Sequence, residues 1–225
     1  MHIEPGIVEG AKLVLSYATG AAAGGCAIKL AAQTAREQGI GSFAVRTVAA
    51  TALVFSFFEV FPHFPIGVSE VHFILGSTLF LVFGAAPAAF GLALGLLIQG
   101  IFFAPADLPQ FGMNVTTLLV PLFAIRALAG RIIPRNTAYV DLQYRQALAL
   151  STAYQSGIVA WVAFWALYGA GFGAENLAAI ASFAASYALV VVVEPLADLV
   201  VLALAKSMRR VTADSVVTYR LHNAA

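Results

Sequence analysis

The chain has 225 residues, 61% hydrophobic and only 10% charged, with a formal net charge of +1 and a mean hydropathy of +0.89. Soluble domains carry about 25% charge and 45–50% apolar residues, which argues against an ordinary globular enzyme or extracellular module. A charge so near neutral offers no basic surface for a nucleic-acid backbone.

Polar punctuation divides the chain into apolar segments long enough to be read as membrane spans. The first runs from about Ala11 to Ala35 and ends at Arg36, Glu37 and Gly39. A second, roughly Arg46 to Phe61, stops at Pro62, His63 and Pro65. The third begins near Ser69 and reaches Gly84, with Ala85, Ala86 and Pro87 making the turn. The fourth, about Ala88 to Ala104, ends in the loop Pro105 to Met113. Then come roughly Asn114 to Ala129, Gln146 to Tyr168 and Leu177 to Ala205. Helix is the expected form, because an open sheet would leave its edge amides unsatisfied in lipid, and barrel alternation is absent. The fold expected is all-α and polytopic, with about seven transmembrane helices.

Orientation follows from the basic residues. Lys29, Arg36 and Arg46 flank the first loop, and Arg126, Arg131, Arg135 and Arg145 flank the fifth-to-sixth loop. Lys206, Arg209, Arg210 and Arg220 follow the last span, and among the twelve Lys and Arg residues Lys12 alone falls on the opposite side. The positive-inside rule makes the crowded side cytoplasmic. The N-terminus is then outside, residues 1–205 form one transmembrane unit, and residues 206–225 form a cytoplasmic tail.

The opening Met-His-Ile-Glu-Pro-Gly has no Lys or Arg ahead of the apolar run, unlike a signal peptide. It is expected to stay on the mature protein, Met1 included, because His2 is too bulky a second residue for methionine removal. Cys26 lies in an apolar run and reads as a small packing residue, with no disulfide framework possible. Gly20, Ala22, Gly24 and their neighbours in the first span permit close helix approach, either to another subunit or within this chain.

Three of the four histidines, His2, His63 and His72, fall on the outer face of this topology. A histidine at position 2 behind a free amine is a chelator. The Met1 α-amine, the deprotonated His2 amide nitrogen and the His2 imidazole form fused five- and six-membered rings around one ion. Planar nitrogen sets of this kind suit Ni(II) and Cu(II), and can hold Co(II). A fourth donor would close the square. His72, just inside the third segment behind Pro65, Gly67 and Ser69, leads, with His63 behind it. The rival reading is an interfacial histidine bonded to a carbonyl. His222, in the polar tail, reads as solvated. Gln99 and Asn114 are amides near the outer face that could orient a ligating imidazole or simply join helices. Glu194 and Asp198, one turn apart in the last span, form either a proton or ion relay or a pair with Arg126 or Arg131. Glu59 and Glu70 flank the His63 loop and would attract cations.

No Gly-x-x-x-x-Gly-Lys-Ser/Thr loop, His-Glu-x-x-His helix or Gly-x-Ser-x-Gly elbow is present, so nothing marks an ATPase or another enzyme.

Met1-His2-Ile3-x-x-Gly6, followed by Gly67-Val-Ser69-Glu-Val-His72, resembles the CbiM/NikM family. Those proteins are the metal-binding membrane subunits of energy-coupling-factor transporters for cobalt and nickel. Phe83-Gly84-Ala85, Gln99 with Phe102 and Phe103, and Gly112-Met-Asn114 follow in the family's order, and Glu194 is similar to a glutamate in the family's last span. The resemblance covers about residues 1 to 205. It implies Met1, His2 and His72 as metal ligands, with residues 1–10 as the chelating segment, and Ser69, Gln99 and Asn114 as supporting polar groups. Two departures stand out. Glu70 and Val71 separate Ser69 from His72 more widely than is usual, which keeps His63 in play. Thr116 and Thr117 stand where a second asparagine is common.

The function expected from the resemblance is capture of Co(II) or Ni(II) at the outer face for ATP-driven uptake, serving cobalamin synthesis or nickel enzymes. The partners implied are an integral coupling subunit, cytoplasmic ATPase subunits and a small accessory membrane subunit, in a bacterial or archaeal cell membrane. No organic cofactor is expected. The alternatives are a stand-alone permease using Glu194 and Asp198, and a haem-bearing redox anchor.

Overall fold

Single glycines set the tightest corners. In the computed structural model, which describes residues 3–208 and 216–224, Gly39 alone joins α1 (Leu13–Gln38) to α2 (Ile40–Glu59). Gly84 alone joins α3 (Gly76–Phe83) to α4 (Ala85–Phe102). Both sit at positive φ, +83° and +89°, where a side chain is disfavoured. Then follow α5 (Phe111–Ile132), α6 (Tyr144–Ala170), α7 (Ala174–Ser207) and the short α8 (Tyr219–His222). A hairpin of β1 (Phe64–Ile66) and β2 (Ser69–Val71) lies between α2 and α3, paired antiparallel with Phe64 opposite Val71.

Among the described residues, six helical segments are long and apolar enough to cross a membrane. The protein is an integral membrane protein, as its composition requires. The third expected span is not one of the six. Its eight-residue helix α3 rises about 12 Å, too little for a hydrocarbon core about 30 Å thick. The first half of the segment is instead the hairpin strand and an extended stretch that ends at Leu75, a left-handed residue at φ +53°. Nevertheless, this stretch runs the length of α2. β1 follows the C-terminal end of α2, whereas Phe83 at the end of α3 accepts a hydrogen bond from Arg46 Nη1 (2.9 Å), near the start of α2.

α2 begins six residues before the expected boundary at Arg46, which places Arg46 within the helix rather than at its start. The small residues that close the bundle are mostly not the ones that stand out in the first span. Gly91 and Gly95 of α4 lie so close to α2 that a methyl group on either would come within 2.5 Å of Ala50 or 2.6 Å of Val54. This is small-xxx-small packing inside the chain. On α1, Gly20 meets the backbone of Gly112, while Gly24 and Gly25 face open space. Cys26 is exposed rather than packed. Large apolar residues along α7, such as Leu189, Val192, Leu196 and Val200, are also exposed, as expected of a surface solvated by lipid.

Residues 217–222 pack back onto the bundle. Thr218 donates its backbone N–H to Val82 O (2.8 Å), and Val217 and Leu221 join the core. His222 is 4% exposed, so the expectation of a solvated histidine is corrected. Arg209, Arg210 and Asp214 lie outside the described residues.

Candidate metal centre

The first described residues are docked into the bundle. Ile3 N–H donates to Asn114 Oδ1 at the start of α5 (3.0 Å), and Ile3 forms a β-bridge with Ser69. Glu4 N–H donates to Val68 O (3.2 Å). Ile3 and Val8 then pack with Met113 and Trp165 in a small cluster of their own. Behind them, Gly169 of α6 lies against the Ile7 carbonyl, where a methyl group would come within 2.0 Å. Lys12 reaches over to the Gly169 carbonyl (2.8 Å). The segment is thus held on three sides, by β2, α5 and α6. Met1 and His2 lie outside the described residues.

His72 follows β2 directly and is buried. Alternation along an extended chain puts Glu70 and His72 on one side and Ser69 and Val71 on the other. Hence His72 Nε2 meets Glu70 Oε2 at 2.8 Å. With Nε2–H donated to the carboxylate, the lone pair belongs to Nδ1. A carboxylate that fixes the tautomer in this way is a common support for a metal-binding imidazole. Sequence reasoning placed Glu70 only as a nearby charge; its i, i+2 spacing from His72 in an extended segment was the available signal.

His63 stacks on His72, with ring centroids 4.9 Å apart and planes within 12°. Phe58 meets the His72 ring edge-on at 5.2 Å. Imidazoles bind metals in the ring plane, so two parallel stacked rings cannot both aim at one ion unless one turns. His63 therefore braces the face of His72 in this arrangement. Gly67 opens the hairpin turn at φ +65°, and a methyl group there would lie 2.1 Å from the Ala179 carbonyl of α7.

Of the expected supporting groups, the structure brings Ser69 and Asn114 together through Ile3, and both are buried. Gln99 is buried in the last turns of α4. Thr116 and Thr117 turn their hydroxyls back to Met113 O at 2.9 and 2.8 Å. Thr116 also accepts the Trp161 indole N–H (3.0 Å). Among the described residues, no group of three or more His, Cys, Asp and Glu side chains could hold a metal ion.

Glu194 and Asp198 are fully buried, and they do not pair with Arg126 or Arg131 as one expectation had it. Asp198 accepts hydrogen bonds from Ser77 Oγ (2.7 Å) and from Thr78 Oγ1, both on α3. The Glu194 carboxylate faces the Leu75 and Gly76 amides at the start of α3. Asp198 therefore ties α7 to the short helix that follows His72.

Two solved structures share this architecture. One, described as a truncated transition metal transporter, matches with a TM-score of 0.64 at 18% identity, covering 93% of this chain and 98% of its own. The other, described as a transition metal transporter, gives 0.66 at 18% identity, covering 93% and 94%. Among curated proteins none matches. The model of the CbiM family, described as the cobalt uptake substrate-specific transmembrane region, matches residues 2–212. Spanning nearly the whole helical bundle, that match makes this chain a member of the CbiM family.

Proposed function

We propose that this chain captures Co(II) or Ni(II) at the hairpin end of the bundle and serves as the substrate subunit of an energy-coupling-factor transporter. One observation carries the reading: Ile3 is fixed between Asn114 and Ser69, three residues from His72. The two residues ahead of Ile3 add no more than about 7 Å of chain, which supports a chelate at the hairpin end that carries His72. The Met1 amine, the His2 amide and imidazole nitrogens and His72 Nδ1 would supply four nitrogens, a set suited to either ion.

The sequence has no phosphate-binding loop, so ATP-driven uptake would draw on a coupling membrane subunit and cytoplasmic ATPases. The hairpin end faces outward in this reading. Six spanning helices plus the broken passage through α3 give an odd number of crossings. The C-terminal end then lies inside with the basic loops, in a bacterial or archaeal cell membrane.

The test is isothermal titration of Co(II) and Ni(II) into purified protein whose start at Met1 is confirmed by mass spectrometry. Acetylating the amine, inserting alanine between Met1 and His2, or His72→Ala should each weaken binding at least about tenfold, or about 1.4 kcal/mol. Unchanged affinity after both acetylation and insertion would remove the N-terminal chelate. Vigorous proton-driven uptake by the isolated chain, lost with Glu194→Gln, would favour the stand-alone permease.

A further inference from the structure

At the opposite end of the bundle, the ends of α1 and α5 and the starts of α2 and α4 surround a cavity of about 600 Å³, closed on one side by residues 218–220. Its lining is strongly positive. Arg46, Arg126 and Arg220 all border it, against the single carboxylate of Glu37. Among the described residues none of the three guanidiniums is in an ion pair.

Arg46 is the most telling. It is 0% exposed, an expensive place for a cation. Its Nη1 and Nε bond the carbonyls of Phe83 and Ser42, but Nη2 has no hydrogen-bond partner among the described residues. Arg220 Nε is likewise buried without a partner, although Nη2 bonds Pro134 O and the guanidinium stacks on Tyr139. The first turn of α4 also borders the cavity, and no side chain caps its Ala85 and Ala86 amides, Pro87 having none. Helix N-termini and guanidiniums favour the same ligand, an oxyanion. Burial holds the Tyr139 phenol above its ordinary range, with Arg220 opposing the shift, so it stays neutral beside the cavity. An anion there meets one carboxylate and no phenolate.

We infer that this cavity binds a phosphate-bearing anion, either an anionic phospholipid headgroup or free phosphate, through Arg46, Arg126, Arg220 and the first turn of α4. Its position at the helix ends is headgroup depth, where basic recesses between spans collect anionic lipid. Nothing in this proposal depends on which metal the far end takes, or on whether it takes one.

The experiment uses the full chain, delipidated in a neutral detergent. Short-chain phosphatidylglycerol, the matching phosphatidylcholine and inorganic phosphate are titrated separately, with complexes followed by native mass spectrometry and by melting temperature. Phosphatidylglycerol should bind about tenfold more tightly than phosphatidylcholine, and Arg126→Gln and Arg220→Gln should each weaken it about fivefold. Arg46→Gln also removes the hydrogen bond to Phe83, so the exposed Arg126 carries the decision. If inorganic phosphate raises the melting temperature alone and displaces the lipid, the physiological source is soluble; if it does neither, the source is lipid. Equal binding of the two lipids together with no effect of phosphate, or phosphatidylglycerol and phosphate binding that survives both substitutions, would overturn the proposal. Co(II) titration of the same variants should be unchanged, which separates this site from the metal reading.

Discussion

Ile3, Ser69, His72 and Asn114 are all buried at the hairpin end of the bundle, and backbone hydrogen bonds tie the first described residues to two other elements. At the far end the helices part around an open cavity of about 600 Å³ with three arginines on its wall. The contrast shows two ways to handle polar groups in lipid. At the first end, hydrogen bonds from Ile3 to Asn114, Glu4 to Val68 and His72 to Glu70 hold the geometry. At the second, carbonyls and the Tyr139 ring hold Arg46 and Arg220, while Arg126 is exposed at the cavity wall.

Substitutions that distort the closed end should have the largest effects. Gly67→Ala would push a methyl group into the Ala179 carbonyl at a positive φ. A loss of about 3 kcal/mol in stability is expected, seen as a lower melting temperature in detergent, with metal binding lost as the hairpin shifts. A melting curve matching wild type would mean that the hairpin is not pinned to α7. Asp198→Ala comes next, because Ser77 and Thr78 would lose their shared acceptor. About 2 kcal/mol is expected from one buried and one half-buried hydroxyl left unpaired, measured by the same melt. Asp198→Asn, which keeps one acceptor oxygen, should recover part of the loss.

Glu70→Gln is subtler. It preserves volume but replaces the carboxylate facing His72 Nε2, and metal affinity is expected to fall about tenfold. Unaltered affinity by titration would leave Glu70 as surface charge only. Smallest of all, Gly24→Ala on the open face of α1 meets nothing within 4 Å and should change stability by less than about 0.5 kcal/mol. A larger effect in a membrane containing coupling partners, absent in detergent, would mark that face as a subunit contact.

Much of the hairpin end could be read from residue order. Pro62, Pro65 and Gly67 announce irregular backbone, and His72 behind them is costly in an apolar segment without a partner. The extended form of the third segment was harder to foresee. Residues 73–83 are as apolar as any helix in the chain, and hydropathy counts residues without distinguishing helix from extended backbone. Gly91 and Gly95 were overlooked for a related reason. The small residues of the first span are more conspicuous, but which glycine touches a neighbour depends on how each helix is rotated.

Composition alone determined that the chain lives in a bilayer as helices, because about 20 consecutive apolar residues per segment leave no other way to satisfy the backbone in lipid. The positions of charges and of the Pro62–Gly67 stretch marked where several segments end and which loops are basic. Tertiary structure decided the rest. It turned Arg46 from a residue flanking a loop into a buried guanidinium and folded Val217 to His222 back onto the bundle. It also paired Asp198 with two hydroxyls 120 and 121 residues away. These contacts lie between segments distant in sequence and depend on helix rotation and depth, which a local pattern of apolar and polar residues does not encode.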